Sequence, residues 1–160
     1  MNHPQPACCF TGHRALPGRC LPFLRTALTA AVRDCVDDGC FDFYCGGAVG
    51  FDTMAAATVL RLREEDPRIR LHLLLPNRHQ ADDFSEADRD AYETILTRAD
   101  SAVFLSETAR RGGMLQRDRA LVEHSTRCIC YCTRQKGGTA YTVAYALSRG
   151  LPILNLAESI

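Results

Sequence analysis

Six short apolar runs, at residues 7–11, 41–45, 69–75, 101–105, 128–132 and 152–155, constrain what this chain can fold into more than any other feature. They are mainly apolar rather than strictly alternating with polar residues. Continuous apolar character indicates strands covered on both faces, which is what parallel sheets require. Helical patterns fill the intervals. Leu21, Leu24, Leu28, Val32 and Cys35 recur at three- and four-residue steps before Asp37-Asp38-Gly39 supplies a stop. A second pattern opens near Gly50, carries Met54, Ala55, Val59 and Leu62 on one side, and ends before Pro67. A third covers 86–98, with Ala91, Tyr92, Ile95 and Leu96 facing inward; a fourth covers 114–124, and a fifth covers 140–148, ahead of Gly150-Leu151-Pro152. This alternation predicts an α/β fold of three layers: an open, mainly parallel sheet joined by right-handed crossovers, with helices on both faces.

At 160 residues the chain has the usual size of one domain, which predicts a single domain over 1–160. Its 46% hydrophobic and 24% charged residues describe an ordinary folded protein rather than a disordered or fibrous one. Nineteen basic residues balance nineteen acidic ones, so no global field draws the chain toward DNA or a lipid surface. No run approaches the roughly 20 apolar residues of a membrane span, and the first residues, Met-Asn-His-Pro-Gln-Pro, lack the pattern of a secretory leader. The expected location is cytoplasmic, with no membrane partner. Nine cysteines without a Cys-x-x-Cys pair lie mostly in apolar runs, where reduced cysteine packs as a small hydrophobe. They are read as packing residues and not as a metal site, with Cys45, just before a glycine turn, the partial exception.

In open parallel sheets, ligands bind beyond the carboxyl ends of the strands, where helix N-termini offer unpaired N–H groups. Four unusual turns fall at that edge. Thr11-Gly12-His13-Arg14 follows the first strand, and His13 and Arg14 suit a phosphate or a base edge; the plain alternative is a solvated polar pair. Gly46-Gly47-Ala48-Val49-Gly50-Phe51-Asp52 follows the second, and its glycines let backbone approach a phosphate or ribose. Asp52 either accepts a ribose hydroxyl or caps the following helix. The spacing fits neither the dinucleotide fingerprint nor the P-loop. After Arg110-Arg111-Gly112-Gly113, Arg117 is placed to reach over the sheet toward a phosphate, while Arg119, about 200° further round the helix, serves another surface. Gly137, Gly138 and Thr139 form a second anion turn, with Thr139 expected as N-cap and phosphate donor. Residues 76–85, the longest irregular piece, read either as a flap over this edge or as an ordinary loop.

Taken together, Thr-Gly-His-Arg at 11–14, Cys-Gly-Gly-Ala-Val-Gly-Phe-Asp at 45–52, Met-x-x-Arg-Asp-Arg from Met114 with Ser125 beyond it, and Gly-Gly-Thr-Ala-Tyr-Thr at 137–142 resemble the YpsA-like branch of the SLOG superfamily. That Rossmann-like group joins the Smf DNA-processing proteins to the Lonely Guy phosphoribohydrolases. The resemblance covers nearly the whole chain and implies a nucleotide-type pocket lined by the glycine turns. Its ligand would be a nucleotide or an ADP-ribose or NAD-like compound, and its expected assembly a homodimer. Lonely Guy enzymes carry a catalytic glutamate where this chain has Thr142, although Arg117 matches their arginine, so hydrolysis of nucleotides is the secondary expectation. The DNA-processing relatives share the turn at 47–52 and the pair Arg117 and Arg119. Asp118 replaces a frequent asparagine and Ala56 a histidine, which makes single-stranded nucleic acid the minority reading.

Overall fold

A computed structural model describes residues 5–159; the first four positions, on which the leader expectation partly rests, lie outside the described residues. The elements run β1 (Ala7–Gly12), α1 (Leu21–Asp37), β2 (Asp42–Cys45), α2 (Phe51–Glu65), β3 (Arg70–Leu75), α3 (Glu86–Arg98), β4 (Ser101–Phe104), α4 (Gly113–Glu123), β5 (Arg127–Tyr131), α5 (Gly138–Ser148) and β6 (Ile153–Asn155). All strand pairs are parallel, in the order β4-β3-β2-β1-β5-β6. The chain therefore builds outward from β1 to β4, then returns to lay β5 on the other side of β1. That reversal between β1 and β5 is the topological switch point of the sheet.

The period-two geometry of a strand divides each apolar run between two layers. Cys8, Phe10, Phe43, Leu71, Leu73, Leu75 and Ile129 pack beneath α1, α2 and α3, with Leu24, Leu28, Val32, Ala55 and Val59 opposite them. Cys9, Leu74, Cys128 and Cys130 face the other way, against Leu121 and Val122 of α4 and Ala146 of α5. At the centre, Phe10 stacks on Phe43 at 5.9 Å and meets Phe51 at 6.4 Å between ring centroids. All three rings are fully buried, each contributing about 1.5–3 kcal/mol of transfer free energy. Phe51 is the first residue of α2, so this cluster also fixes where that helix begins beside β1.

The fourth strand departs from the expectation of two covered faces. It is an edge strand whose first three residues, Ser101 to Val103, are exposed. The loop at 76–85 is packed into the fold. Asn77 and Gln80 are buried, the Asn77 side-chain oxygen accepts the His79 amide at 2.7 Å, and the Arg89 guanidinium donates to the Asp82 carbonyl at 2.7 Å. Helix α3 starts where Ser85 Oγ accepts the Asp88 amide at 3.2 Å, with Glu86 and Asp88 in the first turn to complement the dipole. Among the described residues, no helix is long and apolar enough to cross a membrane.

Candidate functional site

Because every strand is parallel, the four unusual turns share the carboxyl edge of the sheet. At the switch point they enclose a pocket of about 240 Å³. Its walls include Thr11, Gly12 and Arg14 from the end of β1, Ala48 and Asp52 from the start of α2, Arg117 from α4, and Gly138 and Thr139 from α5. The N-terminal turns of α2, α4 and α5 thus converge on one space, and each leaves backbone N–H groups without helical partners. Two larger grooves, of about 460 and 620 Å³, run between α2 and α3 and between α1 and α2. They are shallow channels along helix surfaces, lined by no glycine turn. The smaller pocket is the one on which polar groups converge.

Asp52 is the buried acid of the site. It is 6% exposed, and its Oδ2 accepts the Ala48 amide at 3.2 Å. Burial pushes its carboxyl up to about 6, against the opposing pull of the Arg117 guanidinium and the Ala48 N–H. Arg117 is comparably buried. Its Nη1 donates to the Gly46 carbonyl, its Nε to Asp118 Oδ1 at 2.8 Å, and its Nη2 lies 3.6 Å from the Met114 sulfur. The guanidinium reaches over the sheet, but its donors are engaged with the Gly46 carbonyl of the second turn and with Asp118 and Met114 of its own helix. Arg119 points elsewhere, donating to the Tyr141 hydroxyl at 2.6 Å on the surface.

The remaining predicted residues divide between walls and scaffold. Gly46 lies directly under Arg117: a Cβ there would come within 2.7 Å of Nη1. Gly47 faces Leu75 and Tyr92, away from the pocket. Gly50 is the N-cap of α2 at φ 77°, and a side chain there would overlap the Arg14 carbonyl oxygen. Its place lets the Phe51 amide donate to the His13 carbonyl at 3.1 Å, which ties the first turn to the second. His13 does not line the pocket. Its Nε2 accepts the Thr133 amide at 2.8 Å and its ring meets Tyr131 edge-on, clamping the β1 turn to the β5 turn. Burial and the Arg134 charge push its pKa below the ordinary range, consistent with a neutral acceptor.

Gly137, at φ 103°, is the N-cap of α5, and that cap makes no side-chain hydrogen bond, so Thr139 is not the cap the sequence predicts. Instead it lies on the pocket wall. Thr142, at the position of the Lonely Guy glutamate, is buried and donates to the Gly138 carbonyl at 2.9 Å. Cys45 is fully buried in the core with its thiol pushed up by burial, a packing residue like its neighbours. Gln80, whose Nε2 donates to the Gly46 carbonyl at 3.3 Å, carries no motif that would have marked it. Met114, the first residue of the Met-x-x-Arg-Asp-Arg motif, and Leu115 form part of the apolar side of the pocket, and their position just after a glycine pair that opens a helix is the signal that marks them.

The arrangement can hold an anion against backbone amides and a hydroxyl beside a buried carboxyl. Among the described residues, no group of three or more His, Cys, Asp or Glu side chains is disposed to hold a metal ion.

Comparison with known proteins agrees with this architecture. The YpsA family model, described as "YspA SLOG family", matches residues 18–150. A UPF0398 protein of Bacillus velezensis is 24% identical over 85% of this chain and 79% of its own length. One from Brevibacillus brevis is 31% identical over 58% of this chain, a match spanning half of that protein. Among solved structures, DNA processing protein A of Helicobacter pylori, described by its single-stranded DNA binding mode, superposes with a TM-score of 0.65 at 17% identity. That alignment covers 94% of this chain and 64% of that one, a likeness of fold. With a family match that runs unbroken from α1 through α5 and takes in three of the four turns, this chain belongs to the YpsA SLOG family.

Proposed function

We propose that this protein, as one domain, binds a phosphate-bearing, nucleotide-derived small molecule in the pocket at the β1–β5 switch point. The observation that carries the reading is the convergence of three helix N-termini on a space that also contains a buried aspartate. The amides of Gly138 and Thr139 would take the phosphate, the Thr139 hydroxyl would add a donor, and Asp52 would accept a ribose hydroxyl. At about 240 Å³ the pocket falls below the roughly 300–1,000 Å³ of sites that enclose drug-sized ligands. It suits the phosphoribosyl end of a mononucleotide or of an ADP-ribose or NAD-like compound, with the base directed outward. Binding without fast turnover is the favoured mode, because Thr142 offers no acid or base and its hydroxyl is engaged inside α5.

Calorimetry with nucleoside 5′-monophosphates, ribose 5-phosphate, NAD and ADP-ribose tests this. We expect saturable binding by at least one phosphoribosyl compound, weakened about tenfold by Thr139→Val or Arg14→Ala, the loss of about one hydrogen bond. No binding across the panel, or binding indifferent to both changes, would overturn the proposal. Arg117 is unsuited to the test because its removal disturbs the Gly46 turn.

A second reading rests on the exposed cations Arg110, Arg111, Arg134 and Lys136 along the same edge, together with the single-stranded DNA named for the Helicobacter structure. Fluorescence anisotropy with an oligonucleotide at two salt concentrations would show strongly salt-dependent binding lost in an Arg110→Ala, Arg111→Ala variant. Equal anisotropy with and without protein rejects it. The resemblance also carries an expectation of a cytoplasmic homodimer, and sedimentation reports the assembly state directly.

A further inference from the structure

At the opposite, amino edge of the sheet lies a feature that ligand binding does not use. Helix α1 ends in a Schellman motif: the Cys40 amide donates to the Cys35 carbonyl at 2.8 Å, the Gly39 amide donates to the Val36 carbonyl at 3.0 Å, and Gly39 sits at φ 85°. This motif brings the side chain just past the turn against the one in the last helical turn, a contact that is ordinarily apolar. Here both partners are cysteines. With standard bond lengths, the 2.8 Å hydrogen bond limits their Cα separation to about 6.7 Å, inside the roughly 4.4–6.8 Å that disulfides span.

The surroundings of Cys35 favour reactivity. Though buried, it forms part of the wall of a cavity of about 150 Å³ between α1 and β5-β6. Arg127, at the start of β5, lines the same cavity and directs Nη1 to the Cys35 sulfur at 3.4 Å while Nη2 pairs with Asp38 at 3.1 Å. The neighbouring Cys40 and Cys8 and the Arg127 guanidinium hold Cys35 well below the ordinary thiol range against the effect of burial. Cys40, whose thiol donates to the Asp42 carbonyl at 3.9 Å, is held above the ordinary range by the neighbouring Cys35 and by burial.

We infer that Cys35 and Cys40 form a peroxide-reactive dithiol, with Cys35 as the attacking sulfur, Cys40 as the resolving thiol and Arg127 as the positioning cation. The Cys35 thiolate attacks the distal oxygen of a hydroperoxide, the O–O bond breaks, and the departing alkoxide or hydroxide takes a proton. This leaves a sulfenic acid on Cys35. The Cys40 sulfur then displaces its hydroxyl group, which leaves as water, and the disulfide forms; the dithiol has lost two electrons and the peroxide has gained them. A dithiol reductant restores the starting state.

The test treats the full chain with a small molar excess of hydrogen peroxide, alkylates the remaining thiols after unfolding, and digests at aspartates. Cleavage before Asp37 and Asp38 separates the two cysteines, so their bridge appears as a linked peptide pair. We expect that pair as the first product, its disappearance on reduction, and a dimedone adduct on Cys35 in Cys40→Ser. Arg127→Gln should slow the reaction about tenfold, while Arg127→Lys keeps most of the rate. Several outcomes would overturn the inference: Cys35 and Cys40 still free after Cys20 and Cys132 have oxidised, a Cys8–Cys35 bridge in place of the expected one, or no Cys35 adduct in Cys40→Ser. An Arg127→Gln variant that reacts at the parent rate would remove Arg127 from the site.

Discussion

Replacing Asp52 with asparagine should make the protein more stable and less able to bind. Asp52 is buried, and its carboxyl is raised from an ordinary value of 3.8 to about 6. A carboxyl raised in the folded state gives stability that is full below its unfolded value and is lost as pH rises through its folded value. Between pH 4 and 6 the folded protein therefore binds more protons at this group than the unfolded chain does. At about 1.4 kcal/mol for each tenfold change in proton affinity, the rise amounts to about 3 kcal/mol by pH 8, and about half of that is already lost at pH 5. Asparagine keeps an oxygen for the Ala48 amide and carries no charge, and Arg117 keeps Asp118 as its partner. Asp52→Asn should then gain up to about 3 kcal/mol over the parent at pH 8 and about half as much at pH 5. For a chain of this length, the larger gain corresponds to about 6–12 °C in Tm. Urea unfolding of both proteins at the two pH values measures it, and the difference between them cancels every other titrating group. If the variant is no more stable at pH 8, or gains equally at both pH values, burial of a charged Asp52 is not what the folded state tolerates. If the gain appears without any loss of nucleotide affinity, Asp52 is not a ligand contact.

Gly50→Ala combines φ 77° with overlap of the Arg14 carbonyl oxygen, so a loss of about 3 kcal/mol or a failure to fold is expected on thermal unfolding. Phe43→Ala should cost about 3–5 kcal/mol in urea, because its fully buried ring leaves a cavity beside Phe10. Arg119→Ala removes one exposed contact to Tyr141 and should change stability by less than about 0.5 kcal/mol and leave nucleotide affinity unaltered, the expected behaviour of an arginine outside the pocket.

The parts of the fold legible in the sequence were those with one dominant local cause. Continuous apolar runs such as Cys8-Cys9-Phe10 reflect burial on both faces, so the inner strands could be read directly. Helix α3 runs over the expected span because Ser85 and two acids mark its start. The exposure of β4 was not legible, since edge position depends on strand order, which no short run encodes. The same holds at the site. Glycine spacing located the turns, but it did not distinguish Thr139, which lies on the pocket wall, from His13, whose acceptor nitrogen is taken by an amide 120 residues away in the chain. Gln80 could not be assigned at all, because its place over Gly46 depends on the path of an irregular loop. Seven of the nine cysteines are buried as expected, Cys20 and Cys132 only partly, yet the proximity of Cys35 and Cys40 comes from the way a helix ends rather than from the spacing of cysteine motifs.

Whether the β1–β5 switch point holds a phosphoribosyl ligand is decided by a crystal structure of the protein grown with a saturating nucleoside 5′-monophosphate. Phosphate density is expected against the amides of Gly138 and Thr139, with a ribose hydroxyl within hydrogen-bonding distance of Asp52. A nucleotide bound instead in the α2–α3 groove, or a pocket left empty at saturating concentration, would refute the proposed site.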